Sequence, residues 1–477
     1  MKYQDYNGYR YFWAEVEGLE KGKSYCYYYL VDGTKKVGDP YARLVLDPYS
    51  DKWLDKLPEG CPAYPYDRFD DTMLAVYNSD IDNYDWQYND AYSIPDHDKL
   101  IIYELLVRDF DGANRTADGT FDNVSHRLLY LKELGVNAIE LMPVMEFNGN
   151  NSWGYNTNFY MAPDKAYGSP ADLRALIDNI HRHGMAVILD IVFNQSDGLH
   201  PWYQMYDIKN NPFYNEKAPH DYSVLNDWNQ SNPLVEQHWA DVIRYWMTAY
   251  NVDGFRFDLM AIHDIDTMNE VSKTLKEVRP EIFVYGEGWT AGDSPLPVEK
   301  RALKDNAYMM PDVAVFSDDI RDAVKGHYSN ASDRGFATGK AGNEETVKIG
   351  IVGATAHPQV DYSKGNNSKA PYAKNPTQVI NYVSCHDDLC LTDKLRKSMT
   401  EPSETDADRK RAAKLAQTIV FTSQGTPFMF AGEEIFRDKK GVHNSYKSPA
   451  EINAIDWNLK TTNADQFNYY KELIKLR

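Results

Sequence analysis

Residues 251–260 read Asn-Val-Asp-Gly-Phe-Arg-Phe-Asp-Leu-Met, and the rest of the chain can be interpreted outward from this segment. The apolar run is too short for a helix, and it ends in an arginine two residues before a carboxylate. Because side chains alternate along a strand, Arg256 and Asp258 are predicted to lie on one face at the strand's end. A guanidinium keeps a neighbouring carboxylate ionised, as a carboxylate nucleophile requires, although a structural ion pair is the simpler interpretation of one such segment alone.

Three further short apolar runs carry carboxylates at or near their ends. β-Branched and aromatic residues dominate these runs and turn-forming residues bound them, so each is predicted to be a buried strand. A parallel barrel brings the carboxyl ends of all its strands to one rim, where acids that are distant in sequence converge in one pocket. The runs are 186–194 with Asp190, 282–287 with Glu287, and 379–387 with Asp387.

Strand and helix patterns alternate from Lys99 to the end of the sequence. Residues 126–134 have apolar side chains at helical spacing and stop at Gly135, and residues 169–184 form a second helix with proline in its first turn. This cadence requires a parallel sheet with crossover connections. The predicted fold class is α/β, a (β/α)8 TIM barrel over residues 96–477, with strands at 100–107, 136–142, 186–194, 251–260, 282–287, 313–316, 379–387 and 427–430.

Two long connections interrupt the barrel pattern. Residues 196–232 are too many for a simple loop between a strand and a helix. We predict a small inserted subdomain there that covers the cleft. Residues 325–376 are rich in Gly, Asn and Lys, and we predict a surface loop there.

The region before the barrel, residues 1–95, is predicted to be all-β. Aromatic strands at 11–16 and 24–31 are separated by glycine-containing turns, as in a sandwich. Two long strands do not cover two sheets, so we expect a partial β-sandwich that lacks its amino-terminal half. Residues 37–42, Val-Gly-Asp-Pro-Tyr-Ala, resemble the end of the family 48 starch-binding module, and a plain packing domain is an equal alternative.

Composition excludes several classes of partner. The formal net charge of -20 argues against nucleic acid and against an anionic membrane surface. No apolar run reaches the length of about eighteen residues that would span a membrane. Neutral, hydroxyl-rich ligands remain open, and an aromatic content of 13% suits stacking against sugars.

Cysteine usage and the amino terminus say little about the compartment. Four cysteines without metal-ligand spacing indicate neither a disulfide framework nor a metal site in a chain of 477 residues. The first residues lack the apolar core of a signal peptide. An extracellular or periplasmic location is favoured over a cytoplasmic one, and we expect a monomer.

Four segments resemble, in order and spacing, the motifs of the α-amylase family (glycoside hydrolase family 13), and the resemblance covers the chain from Lys99 to Arg477. These segments are 190–195, 254–260, 285–289 and 381–388. Others are similar to segments of the type I pullulanases within that family, and they imply an enzyme that removes α-1,6 branches from α-glucans. They include 152–156, 286–289, 294–297, 316–322, 433–434 and 441–446.

The resemblance implies a role for each residue that matches a family motif. Asp258 resembles the nucleophile, Glu287 the general acid/base, and Asp387 the third acid, which grips the sugar hydroxyls. The remaining candidates for substrate binding are Arg256 beside the nucleophile, the hydrogen-bond donor His386, the stacking platform Tyr155, the architectural pair Asp190 and Asn194, and Gln195, Trp153 and Trp289. For Trp153 and Tyr155, simple packing at the barrel rim is the alternative.

The chemistry of a retaining glycosidase agrees with these roles. It needs one ionised and one protonated carboxyl about 5.5 Å apart, the first to attack the anomeric carbon and the second to protonate the leaving oxygen. Arg256 is expected to lower the pKa of Asp258, and crowding by Asp258 and Asp387 is expected to raise that of Glu287.

Three positions depart from the family pattern. Gln195 stands where histidine is usual, so it can donate and accept hydrogen bonds but cannot carry charge. Gly288 stands where proline is common, and Asp388 where asparagine is common. Asp388 either raises the pKa of Asp387 or faces away from it. None of these departures removes a catalytic carboxylate.

Alternatives to a debranching hydrolase stay open. The family changes linkage through its loops, so an α-1,4-specific amylase or neopullulanase is the first alternative, and a transglycosylase or branching enzyme is the second. A non-catalytic glucan-binding protein is the alternative from another class. The expected partner is an α-glucan and no cofactor is required, but calcium is a frequent structural ion in the family, and the loops around Asn194 and Asp197 are candidates for holding one.

Overall fold

The computed structural model describes residues 1–6, 8–112, 119–222, 224–290 and 292–477. Short antiparallel sheets come first, and a barrel of parallel strands follows. The strands in chain order are β1 (Lys2–Tyr6), β2 (Tyr9–Trp13), β3 (Tyr25–Tyr27), β4 (Tyr29–Val31), β5 (Lys35–Val37), β6 (Val45–Leu46), β7 (Leu74–Tyr77), β8 (Ile102–Leu105), β9 (Ala138–Leu141), β10 (Met145–Phe147), β11 (Thr157–Pro163), β12 (Ala186–Ile191), β13 (Gln195–Ser196), β14 (Asn226–Asp227), β15 (Gly254–Phe257), β16 (Phe283–Gly286), β17 (Ala314–Phe316), β18 (Val379–Asn381) and β19 (Thr426–Phe430).

The barrel is closed and confirms the predicted (β/α)8 fold. Its strands run β8-β9-β12-β15-β16-β17-β18-β19, and β19 pairs in parallel with β8 to complete the circle. Each predicted strand overlaps one of these, but most predicted runs were too long. The reason is that the chain stays buried beyond the last paired residue, so the apolar pattern continues into the loops at the rim.

Helices alternate with the barrel strands and carry the expected end signals. Ser169 and Asp172 form a capping box at the start of the helix that begins at Pro170, and Gly135 ends another helix with φ +103°. The helices are α1 (Val107–Phe110), α2 (Phe121–His126), α3 (Leu128–Leu134), α4 (Pro170–Arg182), α5 (Pro201–Met205), α6 (Pro233–Tyr250), α7 (Ile265–Val278), α8 (Asp318–Lys325), α9 (Glu344–Ile351), α10 (Leu391–Ser398), α11 (Asp406–Thr422), α12 (Ala450–Asn453), α13 (Leu459–Thr462) and α14 (Ala464–Leu476).

Two predictions, a helix at 126–134 and a surface loop at 325–376, need correction. The helix predicted at 126–134 begins two residues later, as α3, because Arg127 leaves the helical conformation with φ -102° and ψ 0° and His126 ends α2. The surface loop predicted at 325–376 contains α9, whose Val347 and Ile349 are buried and which packs against α8. The surrounding polar residues obscured the short apolar pattern by which this amphipathic helix could have been predicted. No helix within the described ranges is both long and apolar enough to cross a membrane.

Strand register places the acids of neighbouring strands side by side. Asp190 on β12 is paired with Arg256 on β15, which is paired in turn with Tyr285 on β16. Asp258 and Glu287 follow the next residues of β15 and β16. A Cβ on Gly286 would lie 2.7 Å from the carbonyl oxygen of Phe257, so glycine permits the close approach of these two strand ends.

The region before the barrel consists of small antiparallel sheets. β1 pairs with β2, β4 pairs with β5, and β7 lies between β3 and β6. These strands fit a small amino-terminal sheet module. Its similarity to a starch-binding module stays a prediction.

A buried ammonium group joins this region to the barrel. Lys165 Nζ lies 2.9 Å from both carboxylate oxygens of Glu146, which is on β10, and 3.2 Å from Asp51 Oδ1 in the amino-terminal region. All three side chains are at most 5% exposed. A buried carboxylate that loses its counter-ion is strongly destabilising, so the position of Asp51 depends on this lysine.

We expect Lys165→Met to lower the free energy of unfolding by about 3 to 5 kcal/mol, because it leaves two carboxylates buried without a cation. Thermal denaturation followed by circular dichroism measures the effect. The matched control is Lys340→Met, since Lys340 pairs with Asp333 while 42% exposed, and it should cost at most about 1 kcal/mol. Equal melting temperatures for the two variants would show that the buried cluster does not stabilise the junction.

Candidate active site

Arg256 lies at the centre of the barrel's carboxyl rim and contacts three carboxylates. Its Nη1 is 3.0 Å from Asp190 Oδ1 and 3.0 Å from Asp258 Oδ1, and its Nη2 is 2.6 Å from Glu287 Oε1. The predicted shared face of Arg256 and Asp258 is confirmed. One guanidinium contacts both Asp258 and Glu287, so the two carboxyl groups are neighbours at the rim, as a retaining pair requires.

The main chain that follows Asp258 holds Glu287 in position. Leu259 adopts the left-handed conformation with φ +43° and donates its N–H to Glu287 Oε2 at 3.1 Å. A leucine in this conformation is strained, and such strain is retained where the surrounding structure imposes it. The turn thus ties the end of β15 to the end of β16.

Arg256 lowers the pKa of Asp258, as expected, but it does not decide the net direction of the shift. Burial raises the pKa of Asp258 and the charge of Glu287 raises it further, and together they outweigh the opposing effects of Arg256 and Asn194. The ionised nucleophile is therefore reached at higher pH than for an ordinary aspartate. The corresponding expectation for Glu287 stays a prediction.

Asp190 forms the floor of the pocket and orients Tyr155. It is fully buried and accepts hydrogen bonds from the Tyr155 hydroxyl and from Arg256. Burial, which Arg256 opposes, raises the pKa of Asp190 to about 7. The Tyr155 ring stacks on the His386 ring, with 5.2 Å between centroids and 27° between planes.

His386 is a cation held by two carboxylates. Burial alone would lower its pKa, but Asp387 and Glu104 raise it to about 9. Glu104, on β8, accepts hydrogen bonds from the main-chain N–H of His386 at 2.9 Å and from its Nδ1. Asp387 Oδ1 lies 3.7 Å from Nε2, and its side chain is 51% exposed at the mouth of the pocket.

Glu104 was missed in the sequence, although a signal was present. It is an acid inside an otherwise apolar strand, in phase with Ile102, which points into the barrel. Glu140 on β9 has the same character: it is fully buried and accepts a hydrogen bond from the Tyr285 hydroxyl. An acid at an inward-facing strand position was therefore a usable predictor.

We expect Glu104→Gln to move the alkaline limb of the kcat/KM profile to lower pH. The amide keeps a hydrogen-bond acceptor for His386 but removes the charge that raises its pKa. The raised pKa also contributes stability that is complete below about pH 6.5 and is lost as the pH rises through about 9, and this contribution should shrink. A pH–rate profile from pH 5 to 10 measures the effect. Glu140→Gln is the matched control, and an unmoved limb in Glu104→Gln contradicts the assignment.

Gln195 and Asn194 support the pocket from behind. Asn194 Nδ2 donates to Asp258 Oδ2 at 3.3 Å and to the side-chain oxygen of Gln195. Gln195 Nε2 donates to the carbonyl oxygen of Tyr155 at 3.1 Å. Both ends of the Gln195 amide thus have partners within the protein, and its contact with substrate stays a prediction.

The two candidate tryptophans lie in different surroundings. Trp153 is 7% exposed and packs edge-on against His386 at 4.9 Å, so it supports that ring. Trp289 is half-buried, with the Arg321 guanidinium 5.2 Å from its ring centroid. Trp289 is the more exposed of the two, and its contact with substrate stays a prediction.

Comparison with known proteins identifies the family of this barrel. The model of the alpha amylase catalytic domain matches residues 104–222 and 205–470. The chain belongs to the α-amylase family. The matched residues include both insertions and every acid of the candidate active site, and the family needs no organic cofactor for its chemistry.

Relatives within the α-amylase family include pullulanases. The chain is 35% identical to the pullulanase of Bacillus subtilis (strain 168) over 79% of its own length and 55% of that protein. The crystal structure of apo pullulanase from Paenibacillus barengoltzii superposes with a TM-score of 0.78 at 30% identity, over 92% of this chain and 68% of that one. The structure of pullulanase type I from Bacillus subtilis str. 168 complexed with maltose gives the same TM-score and identity, over 93% and 62%. The chain therefore spans about half the length of the first of these relatives.

Two family features can be compared with the structure. Asp388 faces His443, with 3.0 Å between Oδ1 and Nε2, and has φ +62°, a conformation that asparagine adopts readily. The buried Oδ1 of Asn194 has no hydrogen-bond partner in the described part of the chain, which suits a bound cation or water. However, the same part contains no group of three or more His, Cys, Asp or Glu residues arranged to hold a metal, so calcium stays a prediction.

Proposed function

We propose that this chain is a retaining α-glucan hydrolase of the pullulanase type, which cleaves α-1,6-glucosidic branch links. The observation that carries the proposal is the guanidinium of Arg256, which holds the Asp258 and Glu287 carboxylates together at the barrel's catalytic rim. The relatives named pullulanase support the α-1,6 linkage.

The proposed reaction is a double displacement. Asp258 attacks the anomeric carbon while Glu287 protonates the glycosidic oxygen, which leaves a glycosyl group esterified to Asp258. Glu287 then takes a proton from water, and that water breaks the ester with net retention. No step needs a metal or an organic group, because the two carboxyl groups supply both the nucleophile and the proton.

The neighbouring groups are proposed to bind the sugar as it distorts. The His386 cation and the half-exposed Asp387 lie side by side at the mouth and can donate to and accept from ring hydroxyls. Tyr155, fixed by Asp190 and by its stack on His386, offers an aromatic face for the ring that is being cleaved.

The product profile on pullulan tests the linkage. Release of maltotriose means α-1,6 cleavage and supports the proposal, whereas panose means α-1,4 cleavage and favours a neopullulanase instead. Amylose should remain nearly intact, and lengthening or branching of its chains would indicate a transferase. High-performance anion-exchange chromatography separates all these products.

A further inference from the structure

Trp53 is an exposed aromatic residue for which the proposed reaction gives no role. It is 74% exposed, the largest exposure of any tryptophan in the described part of the chain. A large ring left in water forgoes the stabilisation that burial would give it. Flat rings of this kind stack well on the apolar faces of sugars.

The turn that presents Trp53 is anchored by hydrogen bonds and an ion pair. Asp51, two residues earlier, is buried, accepts a hydrogen bond from the N–H of Asp47 at 3.0 Å and pairs with Lys165. Asn150 Nδ2 donates to the carbonyl oxygen of Ser50 at 2.9 Å. The main chain that carries the indole is therefore anchored, which lowers the entropy lost when a ligand binds.

Trp53 borders a groove between the amino-terminal region and the barrel. The groove has a volume of about 820 Å³ and is lined, among others, by Trp53, Lys56, Glu59, Asp122 and Asn150. Its polar side chains are of both charge signs and are mixed along its walls. Such a surface suits a neutral ligand rich in hydroxyl groups better than a polyanion or a strongly charged peptide.

The same groove leads towards the active site. Asn150 also lines a second depression, of about 800 Å³, whose inner wall contains Trp153 and Tyr155. Tyr155 is the residue that hydrogen-bonds Asp190 at the base of the catalytic pocket. One asparagine thus joins the two surfaces, and it also anchors the turn of Trp53.

We propose that Trp53 and this groove form a remote subsite for an α-glucan chain that extends outward from the active site past Asn150. The inference rests on the proposed function, since it takes the same class of substrate. Trp53 stacks on one glucose unit of that chain, and the mixed polar walls bind its hydroxyl groups. The enzyme then holds long or branched glucans more tightly than short ones.

Affinity electrophoresis in gels that contain amylopectin tests the subsite without turnover, if all variants carry Asp258→Asn. Adding Trp53→Ala should weaken the apparent affinity about fivefold to tenfold, because one stacking contact is lost. Trp53→Phe keeps a ring and should retain most of the affinity. The matched control is Tyr469→Ala, which removes an exposed ring on α14, far along the chain from the groove.

The outcomes separate this inference from the proposed function. If Trp53→Ala and Tyr469→Ala are both retarded as much as their Asp258→Asn parent, the proposed subsite is wrong. The proposed function is not affected by that result. A parent that is not retarded by amylopectin at all overturns both. A weakened Trp53→Ala with an unchanged melting temperature and a near-normal Trp53→Phe supports the subsite.

Discussion

Asp258→Asn is expected to lower kcat on pullulan by about 10⁴-fold, because the amide cannot form the glycosyl ester on which the reaction depends. The side chain keeps its size and its place beside Arg256, so the fold should be preserved. The loss should be the same on α-maltotriosyl fluoride, whose leaving group needs no protonation. Reducing-sugar release and fluoride release measure the two rates.

Asp388→Asn is the matched control for this variant. It also converts an aspartate at the rim to asparagine, but Asp388 pairs with His443 rather than with Arg256. Its left-handed backbone suits asparagine, so we expect a change in kcat of less than about threefold. If Asp258→Asn and the unaltered protein release reducing sugar at equal rates, the chain is not an enzyme of this type, and a glucan-binding role becomes the better interpretation.

The barrel could be predicted because its strands carry a local signal. Apolar runs such as 282–287 are short, rich in β-branched and aromatic residues and bounded by turn formers, and their alternation with helices leaves few topologies. The position of Asp258 relative to Arg256 followed from the two-residue period alone. Convergence of Asp258 and Glu287 followed from the geometry of parallel strands.

The electrostatics could not be predicted in the same way. The sequence shows that Arg256 neighbours Asp258, but not that Asp190 and Glu287 contact the same guanidinium. One cation shared among three carboxylates does not offset the desolvation of Asp258 and its repulsion by Glu287, and the pKa of Asp258 therefore rises. A pairwise argument from sequence neighbours omits both the additional acids and the burial.

The missed residues share one physical property: they act across the barrel. Glu104 lies 282 positions from His386 in sequence and meets it only because β8 closes the barrel near the seventh strand. The helix α9 was missed for another reason. Eight residues give little periodicity, and its stability comes from packing on α8 rather than from a strong local pattern.

Glu287→Gln distinguishes the role of Glu287 as proton donor from that of Asp258 as nucleophile. On pullulan, kcat should fall by about 10³-fold, since the sugar oxygen leaves poorly without a proton. On α-maltotriosyl fluoride the first step needs no acid, so Asp258 can still be glycosylated and the covalent intermediate should accumulate. A burst of fluoride release followed by a slow steady rate is the expected result.

Azide then tests the second half of the cycle. It needs no general base, so it should restore steady turnover of Glu287→Gln and yield the α-glycosyl azide, the product of two inversions at the anomeric carbon. An Asp258→Ala variant should instead give the β-glycosyl azide by a single inversion, because azide enters where the carboxylate was. Glu287 would not be the proton donor if both variants gave the same anomer. The same conclusion would follow if Glu287→Gln lowered kcat equally on pullulan and on α-maltotriosyl fluoride. The contrast depends on azide entering from the side of Asp258 in one variant and from the side of Glu287 in the other, and Arg256 contacts these two carboxyl groups through different nitrogens.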